Sequence, residues 1–214
     1  MKKKMFLASI AVCIVLYAAI FAAPAAASID RNVVDAVWAR ITATAGMEPM
    51  PIVYEDDQRP NAWVRFQSAD RFTVHVTEGL MQLLHTPDEI AGILGHEVGH
   101  IQLGHYNRMV TRNVGWSVLG QALGRAGGVA EIAGAVGMNL AESGFSREQE
   151  VEADDFGAEL AARAGFSPWG LYNAMIRFRD GGFRTERSGF NSHPPTDRRL
   201  QRLRERAQRA EAGQ

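Results

Sequence analysis

Two histidines four residues apart, His96 and His100, sit inside an apolar run with strong helix-start signals, and no other feature constrains the fold as tightly. Thr86 fits an N-cap, Pro87 the first helical position, and Glu89 completes a Thr-x-x-Glu capping box. The pattern then runs through "DEIAGILGHEVGHIQLGHYNRMV". On an α-helix, residues four apart point about 40° from one another and one turn along, so both imidazoles address one point. Neutral imidazole is a good zinc ligand. Glu97 falls about 60° beyond His100 on the helix wheel. There it reaches a water on the metal and serves as general base rather than ligand. His105 would be rotated about 140° from His100 and 180° from His96 on a continuing helix. The turn-borne spacing His-Glu-x-x-His-x-x-Gly-x-x-His needs glycine at 103 and histidine at 106, which this chain lacks. His105 is therefore expected on the outer face.

A third ligand must come from another segment. Ser146 and Gln149 form a second capping box, opening "SREQEVEADDFGAELAARAG", which Gly165 closes. Glu150 and Asp154 share one face of that helix, while Glu148 and Glu152 look roughly the opposite way. Glu150 is the first choice for the ligand and Glu152 the reserve. A ligand at 150 places Asp154 one turn deeper, where it can accept the second N–H of a ligand histidine. Gly92, Gly95 and Gly99 on the first helix, with Ala153, Gly157 and Ala161 on the second, would let the two backbones approach closely.

The remaining chain frames this pair. Residues 1–27 read as an export leader: three lysines, the apolar run of residues 5–23, and Ala25-x-Ala27 as a cleavage site before Ser28. Retention as an inner-membrane anchor through residues 5–23 is the alternative to cleavage. Either way the domain, residues 28–214, is expected outside the cytoplasm, in the periplasm. The lysines of the leader are the only ones in the chain, which leaves 20 arginines against 24 acidic residues beyond it. No basic field for nucleic acid exists. The only cysteine, Cys13, lies in the leader, so the domain has no thiol ligand, disulfide or cysteine nucleophile.

"DRNVVDAVWARITATAG" has helical spacing, "MPIVYEDD" is a short strand, and "NAWVRF" with "RFTVHV" form a hairpin. A peptide could pair with an edge of this hairpin at residues 72–76. His75 and His85 read as ordinary structural or surface histidines. Residues 114–140 are glycine-rich, with only Arg125 and Glu131 charged, and read as a helical hairpin or lid with membrane-surface contact as a lesser reading. "SPWGLYNAMIRFRD" starts a further helix, "GGFRTERSGFNSHPPTD" is loop, and "DRRLQRLRERAQR" is an amphipathic helix with a solvated arginine face.

The stretches "VTEGLMQLLHTPDEIAGILGHEVGHIQLGH", "SREQEVEADDFG" and "NSHPPTDRRL" resemble the His-Glu-x-x-His zinc peptidases that include HtpX, the CAAX prenyl protease and BepA. The chain looks BepA-like without the helical-repeat domain. The resemblance implies an α+β, mainly helical domain of zincin (gluzincin) type, with a small sheet beside the active-site helix. It implies one zinc per chain on His96, His100 and Glu150, with Asp154 behind the ligands and Glu97 as catalytic base. It also brings in His193, as a further ligand or an oxyanion stabiliser. The expected activity is endoproteolysis of exported polypeptides, misfolded or unassembled envelope proteins among them, in protein quality control. The rival is a catalytically silent, zinc-stabilised chaperone or adaptor domain, against which the intact Glu97 argues.

Overall fold

The computed structural model describes residues 28–48, 50–68, 71–108, 145–183 and 193–213. Asp30 caps helix α1 (Arg31–Thr44) by accepting the Asn32 N–H, and Val34, Val37, Trp38 and Ile41 form its buried stripe. Three strands follow, β1 (Ile52–Glu55), β2 (Ala62–Ser68) and β3 (Arg71–Thr77). They form one sheet in the order β1-β3-β2. β1 runs parallel to β3 and β2 antiparallel to it. The hairpin is therefore present, but residues 72–76 lie on the central strand, and 74–76 are paired on both sides. A peptide cannot add there; the outer edges belong to β1 and β2. His75 is structural as expected: its ring stacks on Trp63 and its Nδ1 lies 2.7 Å from Glu55.

A short helix, α2 (Glu78–Leu83), was not expected; Thr77 caps it through the Leu80 N–H. Helix α3 (Pro87–Gln102) starts where the capping box requires, with both reciprocal bonds formed, and is buried from Glu89 to His100. Helix α4 (Arg147–Arg163) shows the same double cap at Ser146 and Gln149. Helices α5 (Gly170–Asp180) and α6 (Asp197–Glu211) complete the described chain. α3 is the hub, packing against α1, α4, α5 and β2. On α6, Leu200, Leu203 and Ala207 face inward, while Arg202 and Arg206 pair with Asp155 and Glu159 of α4.

The α3–α4 contact is backbone on backbone. A Cβ on Gly95 would stand 2.7 Å from the Gly157 carbonyl oxygen, and one on Gly157 would stand 2.4 Å from the His96 nitrogen. Neither obstacle is a flexible side chain, so the helices would have to separate. Gly157→Ala is accordingly expected to destabilise by about 1–3 kcal/mol, because overpacking outweighs alanine's better helix propensity. Urea titration checks this; a raised midpoint would refute the close-approach argument.

Residues 1–27, 114–140 and 184–192, on which the expected leader, the expected helical hairpin or lid and part of the expected loop fall, lie outside the described residues. Among the described residues, no helix is long and apolar enough to cross a membrane.

Candidate metal centre

α3 presents His96 and His100 side by side, and α4, drawn against it by the glycine contact, brings in Glu150. His193, just before α6, closes the group. These four side chains are buried, and one donor atom from each lies within 4.8 Å of the others. His96 Nε2 is 3.0 Å from His100 Nε2 and 3.1 Å from His193 Nδ1. Glu150 Oε1 is 2.8 Å from His193 Nδ1 and 3.6 Å from His100 Nε2. Tetrahedral zinc with nitrogen ligands at about 2.05 Å sets donors roughly 3.3 Å apart, a value these separations bracket.

Proton positions test the fit more sharply. His96 Nδ1 faces Asp154 Oδ1 at 3.0 Å, outside good hydrogen-bond alignment; a carboxylate only accepts, so this neighbour favours the proton of His96 on Nδ1. Its Nε2 therefore carries a lone pair. His105 Nε2 is 3.0 Å from Glu152 Oε2, which fixes that nitrogen as a donor and leaves His105 Nδ1 as an acceptor. His100 Nδ1, 2.8 Å from His105 Nδ1, must then donate, and His100 Nε2 also carries a lone pair. Two lone pairs thus face each other at 3.0 Å beside a carboxylate. A cation makes that arrangement favourable, and the residues fit a zinc ion.

His105 corrects the expectation of an outer-face residue. α3 ends at Gln102, and Gly104 takes φ +67°, so the phase of a continuing helix no longer applies. The chain turns and sets His105, fully buried, against the far side of the His100 ring. It is not among the converging donors. Glu152, the reserve ligand, is not among them either; it partners His105 and Arg108.

Glu97 lies beside the cluster with Oε1 3.5 Å from His193 Nε2. Burial raises its carboxyl above the ordinary range, although His193 and His96 pull the other way. A raised pKa suits a group that must take and return a proton. The Tyr106 hydroxyl lies 3.5 Å from Glu97 Oε2 and donates to it, on the side of α3 that packs against β2. Phe145 stacks on His100 with centroids 3.8 Å apart and covers the imidazole faces.

Arg199 is the residue that sequence reasoning missed most plainly. Its Nε and Nη2 each lie 2.7 Å from an Asp154 oxygen, and its Nη1 lies 2.8 Å from Glu150 Oε2 and 3.1 Å from the Pro194 carbonyl. One guanidinium thus holds α6, the His193 loop and two carboxylates of α4. Burial raises Asp154, but the attraction of Arg199 wins and holds its carboxyl at about 2. A signal was available: Arg199, Leu203 and Ala207 fall on one stripe of α6 at steps of four.

The family model described as peptidase family M48 matches residues 28–207. Metalloprotease LoiP of Escherichia coli (strain K12) is 33% identical over 141 residues, covering 62% of this chain and 54% of its own length. Metalloprotease YcaL of the same organism is 35% identical over 153 residues, covering 68% of this chain and 58% of its own length. A protease HtpX homolog of Salinibacter ruber is 30% identical over 204 residues, covering 76% and 70%. The chain spans little more than half the length of the first two.

Proposed function

The chain belongs to peptidase family M48, and from that premise we propose that it is a zinc-dependent endopeptidase of exported polypeptides. The observation that carries the reading is the convergence of four buried donors with a buried carboxylate, Glu97, beside them. His96, His100 and Glu150 hold one zinc per chain, with Asp154 orienting His96 from behind. Zinc, when bound, supplies a Lewis acid that polarises the scissile carbonyl and acidifies the attacking water.

The protein's own groups do the rest. Glu97 takes the proton of the attacking water and returns it to the leaving amine. His193 is the movable donor: it completes the ligand set at rest and, with Nε2 close to Glu97, donates to the developing oxyanion when substrate is present. Arg199 keeps Glu150 and Asp154 ionised and in place. The substrate lies extended along the outer edge of β2, since that strand packs against α3, the helix that carries Glu97.

The leader composition supports action outside the cytoplasm, on misfolded or unassembled envelope proteins. The sparsely charged stretch 114–140 supports contact with a membrane surface. Metal analysis of the purified protein, with casein digestion before and after 1,10-phenanthroline, tests the reading. One zinc per chain is expected, with cleavage lost on chelation and restored by zinc. A protein that holds zinc yet cleaves nothing would instead be the silent chaperone or adaptor.

A further inference from the structure

His100 is served from behind by a pair of side chains that no metal would touch. Its Nδ1 lies 2.8 Å from His105 Nδ1, and His105 Nε2 lies 3.0 Å from Glu152 Oε2. Three further observations make this an organised unit. The His105 ring is fully buried, although it sits just past a helix end where exposure is usual. Gly104 adopts the left-handed conformation that turns the chain back toward His100. Glu152 is itself anchored by Arg108, whose Nη2 is 3.3 Å from the same oxygen.

We propose that Glu152 and His105 form a relay that fixes the tautomer of His100. Glu152 holds the His105 proton on Nε2, His105 Nδ1 accepts the His100 Nδ1–H, and the His100 Nε2 lone pair is thereby aimed at the metal. Both are positioning residues. The two ligand histidines of α3 are then oriented by different means: His96 by the buried carboxylate of Asp154, and His100 by a neutral imidazole whose orientation is set at the protein surface. Without the relay, His100 can place its proton on Nε2, where it blocks coordination, and the ring is free to turn. Outer partners of this kind govern the orientation and basicity of metal-bound imidazoles. The inference rests on the reading of the cluster as a zinc site.

The test compares the purified protein with three variants. His105→Leu removes the acceptor at similar volume. His105→Asn keeps one, because its Oδ1 stands where the imidazole Nδ1 stood. Glu152→Ala acts at a side chain 55% exposed, where folding is least disturbed. Chelator competition should show zinc binding weakened by about 10- to 100-fold in His105→Leu, by a few-fold in Glu152→Ala, and largely restored in His105→Asn. In the metal-free protein, imidazole 15N shifts should report His100 as the Nδ1–H tautomer, and as a mixture in His105→Leu.

Equal zinc affinity in all four proteins, or an Nε2–H tautomer of His100 in the unsubstituted one, overturns the relay and leaves the zinc reading standing. An unsubstituted protein that binds no zinc overturns both. An Asn variant as weak as the Leu variant reduces His105 to a packing residue.

Discussion

Glu97→Gln is expected to lower peptide cleavage by about 100- to 10,000-fold while the protein stays folded and keeps its metal. Glutamine has the shape of glutamate but cannot take a proton from water. It can still accept from the Tyr106 hydroxyl, which lies 3.5 Å from Glu97 Oε2. Glu97 is not one of the four converging donors, so the zinc content should remain at one per chain. Stability should hold or rise, because the substitution removes a charge from a fully buried position. Casein digestion, metal analysis and thermal unfolding on the same preparation separate these effects. Cleavage by the pure variant at an undiminished rate would remove the base from the mechanism. A variant that lost both metal and activity would make Glu97 structural.

Arg199→Leu should have the largest effect on stability, about 3–5 kcal/mol, because it leaves buried carboxylates without their counter-charge. Leucine fits beside Leu200 and Leu203, so lost packing is not the main cost. The cost is Asp154 and Glu150, both buried, facing no guanidinium.

The pH dependence identifies this origin. In the unsubstituted protein Asp154 has a folded pKa of about 2, below its ordinary 3.8. Its stabilisation is therefore complete above the ordinary value and fades as pH falls through about 2. In the variant, burial is opposed only by His96, so the folded pKa rises and the penalty grows as pH rises past the ordinary carboxylate range. The gap between the two proteins should be widest near neutrality and should narrow toward pH 4. Chemical unfolding at several pH values measures it; a gap independent of pH would assign the loss to packing instead. Arg199→Lys should fall between, keeping the charge but not the paired bonds to Asp154.

What could be read in advance follows from the range of the interactions. Both capping boxes were legible because a cap involves residues three apart, and both formed as written. The facing of His96 with His100, and of Glu150 with Asp154, needed only the helical period. α2 escaped because six residues give too little periodicity to see. The parallel pairing of β1 with β3 escaped because nothing in either strand encodes its partner. His105 was misplaced by extending one helix through Gly104. Arg199 was hidden by the habit of assigning arginine to solvent, although its position on the buried stripe of α6 argued otherwise. Tyr106 and Phe145 reach the centre through space, and no spacing in the chain announces them.

The division of the centre between α3, α4 and the segment before α6 also sets a calendar for its assembly. A chain emerging from the ribosome offers His96 and His100 first, two donors on one nascent helix. Glu150 arrives fifty residues after His100, and His193 another forty-three after Glu150. Until residue 150 has been made and α4 has docked on α3, a passing ion meets half a site. Metal capture is thus tied to the docking of α4 on α3 and follows that folding step rather than preceding it.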